Sequence, residues 1–164
     1  IVHTHPPHVS ALAMIGVPLI PSHMDTAMFY DEIGGDLFHY ARKTIEDSNT
    51  TKDGWVGAEI FPIDVPGVFE IPVMISKHIH KMDGAIALGC VIKGETPHFE
   101  YISNACAHGI SQLAINSGTP IIFGVLTVDN KTQAEKRSNI DPMEKNKGSE
   151  AAQAALDMVD LDWL

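Results

Sequence analysis

The polar loop KGETPH (93–98) contains the first candidate for chemistry, His98. This loop follows an apolar run and precedes a helical pattern, so His98 is predicted at the start of a helix. Backbone N–H groups at a helix start, together with the Thr96 hydroxyl, can bind an anion. An imidazole at the edge of that site can transfer protons near neutral pH. The spacing is equally consistent with a histidine that only caps a turn.

Two other segments carry side chains that could contact a substrate. Val68, Phe69 and Glu70 follow a Pro-Gly pair at a predicted strand end, where the backbone can contact a flat, amide-like ligand. Glu70 can accept hydrogen bonds from hydroxyl groups, although a carboxylate stabilised by a helix dipole explains it equally well. Arg137 lies beside Lys136 on a short amphipathic segment, where a surface ion pair is the simpler interpretation.

Histidines at positions 3, 5 and 8 have a spacing that could bind a metal ion. Zinc sites usually add cysteine or carboxylate ligands, and none lies near these histidines. We therefore expect a solvated tail and no metal site.

Strands and helices alternate along the rest of the chain. Apolar runs predict strands at 58–65, 84–92 and 121–128, and the last two are typical of strands covered on both faces. Apolar spacing predicts helices at 31–45, at 71–80, from 98 to a C-cap at Gly118, at 132–136 and at 150–159. Residues 1–21 are predicted to form an irregular arm followed by a weak first strand.

This alternation predicts right-handed βαβ units and therefore an α/β fold, a three-layer α/β/α sandwich around a parallel sheet. Ligands of such sheets bind beyond the carboxyl ends of the strands. The loops that contain Glu70 and His98 lie at two such ends, so the fold is expected to place both near one site.

Charge and cysteine content limit the function classes. The chain has 164 residues and a net charge of −10, from 11 Lys and Arg against 21 Asp and Glu. So acidic a protein lacks the positive surface that binds nucleic acid or an anionic membrane. Two cysteines give no disulfide framework and favour a reducing compartment. The longest apolar run, 9–20, is interrupted and too short for a membrane span, so we expect a cytoplasmic protein. The length predicts one domain over 1–164.

Three motifs together resemble the lumazine synthase family of riboflavin biosynthesis: VPGVFEIPV (65–73), GAIALGCVIKGETPHFEYISN (84–104) and PIIFGVLTVDNKTQAEKRS (120–138). The resemblance extends from about Phe29 to Val159 and implies a flavodoxin-like fold. It implies condensation of 5-amino-6-(D-ribitylamino)uracil with 3,4-dihydroxy-2-butanone 4-phosphate to 6,7-dimethyl-8-ribityllumazine. Imine formation, phosphate elimination and ring closure require neither a metal nor an organic cofactor.

The resemblance also implies roles for individual residues. Those that match the binding site of the uracil ring and its ribityl chain are Phe29, Val68, Phe69, Glu70, Cys90, Val91, Ile92 and Phe123. Those that match the phosphate site are Glu95, Thr96, Arg137 and Lys147. His98 matches the proton-transfer residue. Within the first set, the stretch 90–92 acts through its backbone, Phe29 stacks on the ring, and Phe123 comes from a neighbouring subunit.

A homo-oligomer follows from the same resemblance, with the site between adjacent subunits of a ring of five. The link SNIDPMEKNK (138–147) is longer than the usual Gly-rich version. Extra residues there should change the angle between the last two helices and disfavour a closed sixty-subunit shell. We therefore expect a pentamer or a pair of pentamers.

Two alternatives of other classes stay open at this point. A non-catalytic binding or shell protein could hold flavin or lumazine on the same fold, but it would not need Glu70, Thr96, His98 and Arg137 together. A flavodoxin-like nucleotide binder is less favoured, because the chain has no G-x-G-x-x-G or P-loop motif.

Overall fold

The structure, a computed structural model, describes residues 11–16, 24–49, 58–139 and 146–161, with side chains at 33–48, 58–139 and 146–159. Within these ranges four parallel strands form one sheet in the order β2-β1-β3-β4. The strands are β1 (Ala11–Gly16), β2 (Glu59–Asp64), β3 (Gly84–Ile92) and β4 (Ile121–Val128). The helices are α1 (Met24–Asn49), α2 (Ile71–His78), α3 (His98–Ser117), α4 (Lys131–Ser138) and α5 (Lys147–Leu161), and 3₁₀ turns lie at Val68–Glu70 and Ile79–Lys81.

Helices cover both faces of the sheet, and the alternation of side chains along β3 shows this directly. Ile86 and Leu88 point to one face, where they pack with residues of α1, α4 and α5. Ala85 and Ala87 point to the other face, where they pack with residues of α2 and α3. Successive side chains of a strand alternate between the two faces of the sheet. A strand that is apolar throughout must therefore be covered on both faces. The predicted three-layer α/β/α sandwich with a parallel sheet is confirmed.

Several element boundaries agree with the sequence. Strands β3 and β4 have the predicted bounds, and α2 begins with Pro72 in its first turn. Gly118 ends α3 with a φ of 73°, and its N–H donates to the carbonyl of Ala114 at 2.9 Å. This left-handed C-cap is the one the sequence predicts, since glycine adopts positive φ without a steric penalty.

Two helices begin earlier than predicted. Helix α1 starts at Met24 rather than at 31, and α5 starts at Lys147 rather than at 150. In both cases the apolar spacing that marks the buried face becomes clear only after the first turns, from Ile33 in α1 and from Ala151 in α5. The turns before those positions give no periodic signal, so the sequence places the starts too late.

The weak first strand predicted within residues 1–21 is present at residues 11–16. These residues form β1, which pairs in parallel with β2 on one side and β3 on the other. Neighbours on both sides supply ladder hydrogen bonds to this short apolar stretch. The histidines at 3, 5 and 8 lie outside the described residues. No helix in the described ranges is long and apolar enough to cross a bilayer.

Candidate functional site

The 3₁₀ turn Val68–Glu70 follows the carboxyl end of β2 and contacts both β3 and α3. Val68 is 3% exposed and packs in the core between the sheet and helices α2 and α3. The Glu70 N–H donates to the carbonyl of Gly67 at 3.2 Å and closes the turn. Phe69 is 56% exposed and Glu70 is half-buried, so the anchored turn presents an aromatic ring and a carboxylate outward.

Cys90 lies near the end of β3 with its thiol in the opposite core layer, beside residues of α1 and α5. It is 3% exposed, and burial raises the pKa of the Cys90 thiol to about 12. A thiol with that pKa stays neutral at physiological pH, so it is not a nucleophile there. Val91 and Ile92 are half-buried. The buried side chain of Cys90 is therefore not accessible to a ligand.

The loop that contains Glu95 and Thr96 leaves β3 and leads into α3, whose first residue is His98. Lys93 N–H donates to the carbonyl of Val128 at 2.8 Å, which extends the pairing of β3 with β4 by one step. Glu95, Thr96 and His98 are all exposed. Within the described part of the chain no side chain caps the start of α3, and the His98 ring makes no hydrogen bond. The turn-capping alternative for His98 is therefore not supported.

These residues share the carboxyl-end side of β2 and β3, and we call them the loop cluster. The loop cluster consists of Val68, Phe69, Glu70, Cys90, Val91, Ile92, Glu95, Thr96 and His98. Phe29 lies within α1, but its side chain is outside the described residues.

A cavity of about 390 Å³ lies beside β4, the edge strand of the described sheet. Residues of β4, α4 and α5 form its wall, and none of the loop cluster is among the described residues that line it. Phe123 is 40% exposed at this wall, and Thr127 lies further along the same strand. The volume lies in the range of about 300–1,000 Å³ that small-molecule sites usually have. We call this the β4 cavity.

Two cations line the β4 cavity, and they differ in their partners. Arg137 Nη1 donates to the carbonyl of Gln133 at 2.9 Å, and within the described residues Arg137 pairs with no carboxylate. Lys147 Nζ lies 2.5 Å from Glu150 Oε2, and Glu150 lines the same cavity. The surface ion pair considered for Arg137 is thus not found among the described residues, whereas Glu150 offsets the charge of Lys147. Of the two cations, Arg137 is therefore the one whose remaining N–H donors can bind an anion.

Comparison with known proteins decides the family. The sequence model of the 6,7-dimethyl-8-ribityllumazine synthase family matches residues 26–162. The chain belongs to the lumazine synthase family. A 6,7-dimethyl-8-ribityllumazine synthase of Kineococcus radiotolerans is 40% identical over 134 residues, which are 81% of this chain and 79% of that protein. One of Kocuria rhizophila is 35% identical over 130 residues, 79% of each chain.

The sequence did not single out every residue at the β4 cavity of this lumazine synthase-family chain. Thr127 and Glu150 line the β4 cavity, and Asn146 directly precedes α5, where it accepts a hydrogen bond from the Gly148 N–H. For Asn146 a signal existed, because asparagine is among the best N-cap residues and Asn146 precedes a helical segment. For Glu150 the only signal was its three-residue spacing from Lys147. The described residues contain no group of three or more His, Cys, Asp or Glu placed to bind a metal.

Proposed function

We propose that this chain condenses 5-amino-6-(D-ribitylamino)uracil with 3,4-dihydroxy-2-butanone 4-phosphate to 6,7-dimethyl-8-ribityllumazine. Family membership makes it a transferase of riboflavin biosynthesis. The observation that carries the proposal is Arg137, a guanidinium at a cavity of suitable size that pairs with no carboxylate in the part of the chain the structure describes. A chain with a net charge of −10 repels a phosphorylated substrate unless a local cation offsets that field.

The phosphate of the four-carbon substrate is assigned to the β4 cavity. Arg137 binds it through parallel N–H donors, and Lys147 contributes to the same wall while it is paired with Glu150. The exposed loop with Glu95 and Thr96 supplies further donors from its backbone and hydroxyl.

The ribitylaminouracil is assigned to the loop cluster. Glu70 accepts hydrogen bonds from the ribityl hydroxyls, and the backbone at 90–92 pairs with the polar edge of the ring. Phe29 stacks on the ring face. Burial of Val68 holds this turn against β3 and α3, so the binding groups are positioned before the substrate arrives.

His98 is assigned proton transfer. The amine of the uracil attacks the ketone carbonyl and water leaves as the imine forms. Loss of a proton from carbon then accompanies departure of inorganic phosphate and leaves an enol, which tautomerises to a ketone. The second amine attacks this carbonyl and closes the ring with loss of another water. Each step moves a proton without a change of redox state. Orientation of two substrates can lower the activation barrier by roughly 7–11 kcal/mol, and general acid–base catalysis can raise the rate about 10²–10⁴-fold.

The site is proposed to form between two copies of the chain. The β4 cavity and the loop cluster share no lining residue among the described residues, and β4 is an edge strand with Phe123 exposed. A head-to-tail contact that places the β4 cavity of one copy against the loop cluster of the next generates a ring. A ring of such contacts agrees with the pentamer that the family resemblance implies. We propose that this pentamer is located in the cytoplasm.

The long link between α4 and α5 favours a pentamer or a pair of pentamers over a closed shell. Light scattering measures the assembly directly. With a chain mass of 17.8 kDa we expect the mass of five or ten chains. A mass near about 1 MDa, that of a sixty-subunit shell, would refute this assembly.

An absorbance assay tests the activity. Both substrates are mixed with the protein, and formation of the lumazine chromophore is followed against a reaction without protein. The proposal predicts turnover that needs both substrates and releases orthophosphate. Binding of the lumazine product without turnover would instead favour the non-catalytic container.

A further inference from the structure

The two cations of the β4 cavity come from different helices. Arg137 lies at the end of α4, next to its last residue Ser138, and Lys147 is the first residue of α5. A segment of the chain separates them, so covalent connection alone does not fix their separation. Anion binding by two groups requires that separation to be set before the ligand arrives.

One buried side chain joins the two helix ends. Asn146 is 7% exposed, and its Nδ2 donates to the carbonyl of Ser138. Its Oδ1 accepts from the N–H groups of Gly148 at 2.8 Å and Ser149 at 3.3 Å. The amide of Asn146 therefore caps α5 and at the same time binds the last residue of α4. Ser138 directly follows Arg137, and Lys147 directly follows Asn146.

The start of α5 is itself fixed on α1. Gly148 lies so close to the backbone of Leu37 that a Cβ at this position would clash with the Leu37 carbonyl oxygen. Ser149 Oγ forms a hydrogen bond of 2.7 Å with Thr44 Oγ1. Asn146 thus connects the end of α4 to a helix start that two other contacts already hold in place.

We propose that Asn146 is a positioning residue, which holds Arg137 and Lys147 at a set separation on the wall of the β4 cavity. The proposal rests on the proposed function, because it assigns this cavity to the phosphorylated substrate. Asn146 touches no substrate and acts through the two cations beside it. Loss of its bond to Ser138 weakens phosphate binding and leaves the loop cluster unaffected.

Asn146→Ser separates the two roles of the amide. Serine is about as good an N-cap as asparagine, but its hydroxyl does not extend to the Ser138 carbonyl. We expect the KM for the butanone phosphate to rise about three- to tenfold, the factor for one neutral hydrogen bond. The dissociation constant of orthophosphate, measured by phosphorus NMR titration, should rise by the same factor. The kcat and the KM for the ribitylaminouracil should change by less than about twofold.

Asn130→Ser is the matched control. Asn130 caps α4 by accepting from the Gln133 N–H at 3.0 Å, and it does not line the cavity. It undergoes the same chemical change at a second helix start, without a bond that joins two helices. Orthophosphate affinity should equal that of the wild type in this variant.

A role in stability alone would give a different result. In that case Asn146→Ser would lower Tm, while the KM for the butanone phosphate and the dissociation constant of orthophosphate stayed at their wild-type values. Alternatively, both substrates would lose affinity equally. Either result overturns the proposal.

A second variant decides the matter if Asn146→Ser does not fold. Asn146→Asp keeps the cap and suits the helix dipole, but its carboxylate cannot donate to Ser138. The orthophosphate affinity of Asn146→Asp must fall at least as far as is expected for Asn146→Ser. An unchanged affinity overturns the proposal. Orthophosphate titration needs no turnover. A wild-type protein that forms no lumazine would therefore contradict the proposed function, while the titration still decides the role of Asn146.

Discussion

The loop cluster and the β4 cavity are held in place by different interactions. In the loop cluster, backbone hydrogen bonds such as Lys93 to Val128 set the path of the chain, and His98 is exposed with no bonded partner in the described residues. In the β4 cavity the functional side chains themselves are held, Arg137 by a carbonyl and Lys147 by Glu150.

This difference matches the chemistry proposed for each region. A proton-transfer histidine must change its charge during the reaction, so a permanent partner for either ring nitrogen would favour one state. A guanidinium keeps its charge at all relevant pH values, and its contribution depends on geometry. The loop cluster should therefore control kcat, and the β4 cavity should control affinity for phosphate.

His98→Ala should have the largest effect. We expect kcat to fall about 10²-fold or more, with residual activity from the remaining orienting contacts. The fold should be retained, because His98 is exposed at the helix start. Steady-state kinetics and thermal unfolding check both points. His80→Ala, an exposed histidine outside the loop cluster, is the control and should leave kcat unchanged. A kcat for His98→Ala within about twofold of the wild type would rule out proton transfer by this residue.

Arg137→Ala should raise the KM for the butanone phosphate about ten- to a hundredfold, because hydrogen bonds to charged groups contribute about 1.5–3 kcal/mol. The KM for the ribitylaminouracil should stay nearly unchanged. Added salt should weaken binding of the phosphorylated substrate more than binding of the uncharged one. Separate titration of each substrate measures the difference, and equal losses for both would show that Arg137 is structural.

Neighbouring residues supply the controls for Arg137. Lys136→Ala removes an exposed cation from the same helix without changing the cavity wall, so its effect on KM should be small. Arg137→Lys keeps the charge and loses the paired donors, which should give an intermediate KM. Lys147→Ala should have less effect than Arg137→Ala, because Glu150 already offsets the lysine charge.

The two cysteines should have the smallest effect, a loss of folding stability that is confined to alkaline pH. Burial raises the pKa of Cys90 from 9.0 to about 12 and that of Cys106 to about 11. Between pH 9 and these values the unfolded chain loses thiol protons that the folded chain keeps, so the free energy of unfolding falls as pH rises. Below pH 9 both states are protonated and no such slope exists.

Denaturant unfolding from pH 8 to 11 measures this slope, with a Cys90→Ala, Cys106→Ala double variant as reference. The wild type should lose more stability than the double variant over that range. Cys90→Ala should also retain wild-type kcat, since only the backbone at this position is assigned to the substrate. A large loss of kcat without a loss of fold would contradict that assignment.

The sheet was predictable where its signal is local. The runs GAIALGCVI and IIFGVLTV are continuous and bounded by polar residues, so β3 and β4 could be placed to the residue. Strand β1 is short and flanked by prolines, and its place between β2 and β3 depends on pairing with residues far along the chain. No local pattern carries that information.

The same distinction holds for the candidate site. The position of His98 at a helix start follows from the loop and the helical spacing after it. The convergence of Phe123, Arg137 and Lys147 on one cavity depends on how α4 and α5 pack against β4. The pairing of Lys147 with Glu150 and the contact of Asn146 with Ser138 arise only in the folded chain.

Mixed oligomers test whether the loop cluster of one copy works with the β4 cavity of its neighbour. His98→Ala and Arg137→Ala chains carrying different affinity tags are co-expressed, and oligomers that contain both are purified on both tags. In a randomly ordered ring about one interface in four combines an intact His98 with an intact Arg137. About a quarter of the wild-type kcat/KM should therefore return, although each variant alone retains about a tenth of it or less. If both regions act within one chain, every site carries a defect, and activity that stays at the level of the single variants would contradict the account.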